Sequence, residues 1–299
     1  MKRFYLLLML AGLLSLCACG TGLKQEVART GAVSVRTEEG EASSLEIRNI
    51  TLTEYVGTVG PHVVIGSDGK AARVELEGPS DLLEEIKVEF SGRQLKISGD
   101  ASVCYRITED LTVRLLNYDF ETLHFAGACR VEAETILGVP SPQETAGRKL
   151  EIKMSGASSL TALTIRTGSL VMDFSGASTF TAGLIECDTW KQDVSGASTL
   201  TVSECHVTGD TTWNASGASR LTAAGQGKDL YAVLSGASVV SAPDCEFVKA
   251  TLTLSGAATL DCWVTQLLGG SITGGSSVYY KGDPSLAAHT GSSSRLEKR

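Results

Sequence analysis

The tetrapeptide Ser-Gly-Ala-Ser recurs along this 299-residue chain at near-constant spacing, and no other feature restricts the possible folds as tightly. Copies stand at Ser155-Gly156-Ala157-Ser158, Ser175-Gly176-Ala177-Ser178, Ser195-Gly196-Ala197-Ser198, Ser216-Gly217-Ala218-Ser219 and Ser235-Gly236-Ala237-Ser238. A near copy, Ser255-Gly256-Ala257-Ala258, and a weaker one, Thr273-Gly274-Gly275-Ser276, follow. Successive copies begin 20, 20, 21, 19, 20 and 18 residues apart. Ala126-Gly127-Ala128-Cys129 reads as an earlier, degenerate copy.

The flanks repeat with the same period. Positions one, three and five before each Ser are mostly apolar: Met154, Ile152 and Leu150, then Phe174, Met172 and Leu170, then Val194, Gln192 and Trp190. Ala215, Trp213 and Thr211 come next, followed by Leu234, Ala232 and Leu230, and by Leu254, Leu252 and Ala250. The residues between are mostly polar, among them Lys153, Asp173, Asp193 and Asn214. Apolar positions return five residues after the Ser (Leu160, Phe180, Leu200, Leu221, Val240, Leu260) and ten after it (Ile165, Ile185, Cys205, Cys245). Alternation with period two marks strands with one face buried.

One 20-residue unit cannot bury its inner face alone, but stacked units share a continuous core. The predicted fold is therefore all-β: a right-handed parallel β-helix, a solenoid of about 20 residues per coil, over residues 124–284. Propeller blades need about 40 residues each, twice this period, and the hexapeptide pattern of left-handed β-helices is missing. Gly156, Gly176, Gly196, Gly217, Gly236 and Gly256 are assigned to corners, where positive φ and close backbone approach favour glycine. The corner hydroxyls are expected to hydrogen-bond along the stack.

Residues 1–18 read as a lipoprotein signal peptide. Lys2 and Arg3 precede an apolar run, Phe4 to Leu16, that is too short to span a bilayer as a helix. The run ends Leu16-Cys17-Ala18-Cys19, resembling a lipobox with Cys19 as the lipidated residue. Residues 19–43 are read as a flexible tether and 44–123 as a β-rich region capping the solenoid's N-terminal end. Within that cap, Ser80 begins a short predicted helix as its N-cap, and Gly69 and Gly92 mark turns. Residues 138–147 are expected to form an inserted loop. Residues 285–299 are read as a polar tail or one more degraded coil.

The chain as a whole closely resembles the head GIN domain family of bacterial auto-transporter adhesins, over roughly residues 44–296. The features that carry the resemblance are the serial Ser-Gly-Ala-Ser repeats and the segment Gly275-Ser276-Ser277-Val278-Tyr279-Tyr280-Lys281-Gly282-Asp283-Pro284. In the front half, Leu82-Leu83-Glu84-Glu85-Ile86-Lys87-Val88 and Gln94-Leu95-Lys96-Ile97 also match. The resemblance implies a β-helical envelope protein of the kind found among Bacteroidetes lipoproteins, and it carries no catalytic motif.

Chemistry is sparse. Removing Lys2 and Arg3 takes the formal charge from −8 to −10, which argues against nucleic-acid binding. No C-x-x-C spacing supports zinc or redox chemistry, disulfides are allowed outside the cytoplasm, and their pairing is not legible in the spacing. No cofactor or metal is expected. A serine copied in every coil is structural, because a nucleophile needs a positioned base and the four histidines share no repeat phase. Asp173 and Asp193 are predicted to lie on one outward ladder between Lys153 and Asn214, a solvated charge row that would also suit weak cation binding or a carboxylate pair. Trp190 and Trp213 are assigned to the core. Tyr279 and Tyr280 are adjacent, so one should face outward, and with the two aspartates they form a weak candidate binding surface. The function expected is non-enzymatic: a lipid-anchored protein, at the outer membrane on its periplasmic or outer face, that binds a glycan or an envelope or host protein. The alternatives are an envelope spacer and, further off, a carbohydrate-active enzyme.

Overall fold

The computed structural model describes residues 16–18, 23–54, 57–136 and 147–299. Cys19, nearly all of the signal segment and nearly all of the expected loop at 138–147 lie outside the described residues. The chain is all-β, and Ser80–Leu83 is its one α-helix among the described residues.

Each repeat pairs in parallel with the next. Strand Ser159–Phe174 lies beside Thr179–Val194 with Leu160 opposite Phe180, Ile165 opposite Ile185 and Leu170 opposite Trp190. Parallel pairing at offsets of 17 to 21 residues carries Thr179–Val194 onto Thr199–Val207 and Asp210–Ala215, and then onto Arg220–Leu234, Val239–Leu254 and Thr259–Ile272. Parallel neighbours cannot be joined by a tight hairpin. Here the rest of each repeat supplies the return path.

Register turns the sequence alternation into rows of buried side chains. Leu160, Phe180, Leu200, Leu221, Val240, Leu260 and Val278 form one row, each at most 1% exposed. Trp190 and Trp213 are buried as expected, with rings edge-on 5.8 Å apart, and Trp213 meets Phe247 at 5.4 Å. Gln192 and Thr211 hold apolar-phase positions and are fully buried. The Gln192 amide has no hydrogen-bond partner among the described residues.

The Ser-Gly-Ala-Ser segments make the corners. Gly196 has φ +72°, and the Ala197 N–H donates to the Gly176 carbonyl at 2.8 Å. A Cβ on Gly196 would sit 2.5 Å from that carbonyl oxygen. The left-handed conformation and the close approach therefore impose glycine together, and the other five corner glycines show the same pair of constraints. The second Ser of each copy points inward and is buried. Its hydroxyl does not bond to its counterpart in the next repeat, since like hydroxyls on neighbouring strands are a full strand spacing of about 4.8 Å apart. Ser158 and Ser178 donate to the carbonyls of Ser155 and Ser175, at 3.1 and 2.8 Å, Ser238 donates to the Ala215 carbonyl of the neighbouring repeat at 3.3 Å, and the Ser198 and Ser219 hydroxyls have no partner among the described residues.

The N-terminal part differs from expectation in two ways. First, residues 19–43 do not act as a tether where they are described. Leu23–Arg29 pairs in parallel with Val103–Ile107, and Val33–Glu39 pairs antiparallel with Arg73–Pro79. The pinning groups are distant in sequence: Arg36 donates to the carbonyls of Leu83 and Ile86, and Asp81 accepts from the backbone N–H groups of Thr30 and Gly31. Composition alone does not register such contacts. Second, nothing divides the chain at 123/124, because strand Thr122–Gly127 runs across that point. Ser44–Arg48 pairs with it in parallel, and His62–Gly66 pairs in parallel with Arg130–Ile136, so the stack continues into the N-terminal part. Antiparallel strands Lys87–Ser91 and Arg73–Pro79 join from there. The helix follows Pro79 as its N-cap, with no side-chain cap, and Ser80 is its first residue.

At the other end, Ser285–Thr290 and Arg295–Lys298 pair in parallel with Thr259–Ile272 and Ser277–Lys281.

Candidate functional site

The outward rows are where a repeated structure can meet a partner. The Lys153, Asp173, Asp193 and Asn214 side chains occupy successive register positions, as the spacing predicts. Their partners decide what the row can do. Lys153 turns to Glu151 at 2.7 Å, and this contact, more than Asp173, raises the ammonium pKa. Asp193 has the Lys191 ammonium at 3.4 Å and accepts from the Asn214 amide at 2.5 Å. Val233 and Ser235 complete a shallow depression of about 200 Å³ beside the two aspartates.

The tyrosines do not form an open aromatic platform. Tyr280 is buried on the inward phase of strand Ser277–Lys281. Tyr279 faces out but is covered by the guanidinium of Arg299, 4.1 Å from the ring centroid. Arg299 also pairs with the largely buried Asp261, and its backbone N–H donates to the Tyr280 carbonyl at 2.9 Å. Arg299 thus covers the ring face that Tyr279 would otherwise present to a ligand.

A second outward row crosses the same repeats. Arg166, Glu186, His206, Gln226 and Glu246 lie in register on successive repeats, ten or eleven residues after the first Ser of each copy. Arg166 pairs with Glu186. His206 Nε2 lies 2.9 Å from Glu204, and its Nδ1 lies 3.2 Å from the Gln226 amide nitrogen. Two depressions, of about 220 and 260 Å³, flank the row and share His206 and Thr208. Asp188 lines the first, and Lys228 lines the second. Trp263 follows Glu246 in register, with the Lys281 ammonium 4.0 Å over its ring. This row sits one residue beyond the apolar position that defines each repeat. The same periodicity that reveals the core would have revealed it, but its residue types vary from copy to copy.

Cys104, Cys129, Cys187, Cys205, Cys245 and Cys262 are interior. Burial pushes the thiols of Cys129 and Cys262 up to about 12 and raises that of Cys187 as well. Thiols so shifted are poor nucleophiles at neutral pH. Among the described residues, no group of three or more His, Cys, Asp or Glu side chains could hold a metal ion. No helix there is long and apolar enough to cross a membrane.

Residues 56–284 match the family model described as "Putative auto-transporter adhesin, head GIN domain". Among solved structures, the chain is similar to a "putative adhesin" from Parabacteroides distasonis ATCC 8503, with TM-score 0.68 and 13% identity over 92% of this chain and 100% of that one. A "putative adhesin" from Parabacteroides merdae ATCC 43184 aligns with TM-score 0.64 and 12% identity over 92% and 99% of the two chains. A "Putative lipid binding protein" from Parabacteroides distasonis ATCC 8503 aligns with TM-score 0.64 and 15% identity over 92% and 100%. At these identities the likeness is one of fold. No curated protein matches.

Proposed function

This chain belongs to the auto-transporter adhesin head GIN domain family, and from that premise we propose that it is a non-enzymatic binding protein of the cell envelope. In this reading the repeats form a right-handed parallel β-helix, supported by the constant offset between paired strands. Cys19 carries the lipid, the anchor sits in the outer membrane, and the partner is an extended glycan.

The observation that carries the reading is the row Arg166, Glu186, His206, Gln226 and Glu246. Its hydrogen-bonding groups are spaced by one strand separation, about 4.8 Å. A polymer that repeats its own hydroxyl groups can engage such a row at several rungs at once. Each contact is weak, and linkage along one chain raises the combined affinity. The mixture of charge, amide and imidazole donors and acceptors suits hydroxyls better than a single-sign polyion. The buried corner serines and the Asp193 carboxylate, already partnered by Lys191 and Asn214, leave little for catalysis to use.

The test is a glycan array probed with the soluble chain beginning after Cys19. Retention of an extended glycan is expected, and Gln226→Ala combined with Glu246→Ala should abolish it while far-UV circular dichroism stays unchanged. Absence of any retained glycan, together with protease cleavage only in lysed cells, would identify an envelope spacer instead. Hydrolysis of a polysaccharide that is lost in Asp173→Asn and Asp193→Asn would identify an enzyme.

A further inference from the structure

We infer that Cys205 and Cys245 form a two-coordinate site for a soft monovalent metal ion of the Cu(I) class, held in line between two thiolates across the gap left by Gly225. The residues share one interior row, in which Ile165, Ile185, Cys205, Gly225 and Cys245 follow in register. Gly225 has φ +124°, and a Cβ there would lie 2.1 Å from the Cys205 carbonyl oxygen, so that rung accepts only glycine. It contributes no side chain to the row, and the two sulfurs face each other across it 3.6 Å apart. Both residues are at most 1% exposed, so water does not compete with the sulfurs for an ion.

The span between the rungs decides what can join these sulfurs. Cys205 and Cys245 both flank Gly225 on the ladder, so their Cα atoms lie two strand spacings apart, about 9.6 Å. A disulfide spans about 6.8 Å between Cα atoms at most, and both thiols are free. Replacing the S–S bond of about 2.04 Å by two collinear metal–sulfur bonds of about 2.3 Å each lengthens that reach to roughly 9.4 Å, close to the separation of the rungs. The sulfurs need to part by about 1 Å to admit the ion. Side-chain rotation supplies that movement, because the Gly225 rung leaves the space free.

The donor set selects the ion. Thiolates favour soft ions such as Cu(I) over hard cations, and a filled-shell monovalent ion is satisfied by two ligands in line. Zinc calls for four donors, and no group of three or more His, Cys, Asp or Glu side chains is in place among the described residues. The Cys245 thiol and the Gln226 backbone N–H hold the Cys205 pKa below the usual thiol range, whereas burial pushes Cys129 and Cys262 up to about 12. On binding, two S–H bonds break, two metal–sulfur bonds form and two protons pass to solvent. No electron moves, and the bis-thiolate unit keeps one negative charge beside the Gln226 N–H. Because the pair is buried, the ion enters during folding or when these rungs part. Once bound, it ties one repeat to the next but one and stabilises the folded stack by mass action.

The test uses the full chain carrying Cys17→Ser and Cys19→Ser, so that those thiols do not compete for metal. It is refolded without oxygen in Cu(I), supplied as its acetonitrile complex, and desalted in excess reduced glutathione. Copper is then counted by mass spectrometry, and its neighbours are identified by X-ray absorption. Expected is one copper per chain with two sulfur neighbours, lost when Cys205→Ala and Cys245→Ala are added and kept when Cys187→Ala and Cys262→Ala are added instead. Loading should raise the urea midpoint of the parent and leave that of the Cys205, Cys245 variant unchanged. Copper stripped from the parent by glutathione, copper kept by the Cys205, Cys245 variant, or three or more neighbours around the ion overturns the inference. A variant that does not regain its strand signal is replaced by Cys205→Ser alone. A parent that does not refold is replaced by the same chain expressed in copper-supplemented medium, with the same readouts and the same outcomes.

Discussion

Gly196→Ala should destabilise the protein by about 2–4 kcal/mol, because two separate costs meet at one methyl group. Gly196 holds φ +72°, and an L-residue in the left-handed region costs roughly 1–2 kcal/mol. The added Cβ would lie 2.5 Å from the Gly176 carbonyl oxygen, inside any normal contact, so the corner must move. Movement strains or breaks the 2.8 Å hydrogen bond from Ala197 N–H to that carbonyl, worth about 1 kcal/mol net. Repacking of the buried Ser198 and Val194 beside it adds a further increment of similar size. Alanine also restricts the unfolded chain, which returns about 0.4–1 kcal/mol. The loss is large against a typical stability of roughly 5–15 kcal/mol. Urea unfolding followed by circular dichroism measures it, with Ala197→Ser, on the exposed corner residue, as a control expected within about 0.5 kcal/mol of the parent. A Gly196→Ala midpoint indistinguishable from the control's would refute the account of the corner. Gly176→Ala and Gly196→Ala combined should depart from additivity, since Gly176 itself carries the carbonyl that a Cβ on Gly196 would meet.

Three other perturbations follow from particular contacts. Deleting Arg299 removes the partner of the largely buried Asp261 and uncovers Tyr279; a cost of about 1–2 kcal/mol is expected, with faster amide exchange confined to Ser277–Lys281 and Arg295–Lys298, and uniform exchange would contradict it. Replacing Gln192 by methionine should stabilise the fold by about 1–3 kcal/mol, because the buried amide lacks a partner among the described residues; a lower melting temperature would show that the amide is satisfied. The Arg73 guanidinium, with help from the Asn117 amide, holds the Asp68 carboxyl well below the usual carboxylate range. A depressed folded pKa contributes stability above the unfolded value, near 3.9, that is lost as pH falls through and below it. Urea midpoints of the parent should therefore drop more steeply between about pH 5 and pH 2 than those of Asp68→Asn, and equal slopes would exclude the pair.

Core positions were legible because they obey one rule in every repeat. Leu160, Phe180 and Leu200 each stand five residues after the Ser, and each is buried at the same rung position. Even Gln192, an unlikely core residue by type, follows its phase inward. The outward rows were less legible. Asp173 and Asp193 were found because they are alike, whereas Arg166, Glu186, His206, Gln226 and Glu246 share a position without sharing a chemistry. Adjacency in sequence placed one of Tyr279 and Tyr280 outward, as the alternation of the strand has it, but gave no sign that Arg299 covers Tyr279.

The sequence by itself determined the all-β class, the parallel partner of each repeat, the inward faces and the need for glycine at each corner. A period is local information copied many times, and stacking like on like is the only way each copy buries its apolar side. Tertiary structure alone decided what depends on single contacts between distant residues. Arg36 and Asp81 hold residues 30–36 against the helix region, Arg299 pairs with Asp261 and covers Tyr279, and the Cys205 and Cys245 thiols meet over Gly225. Such contacts occur once each, and no repetition in the chain announces them.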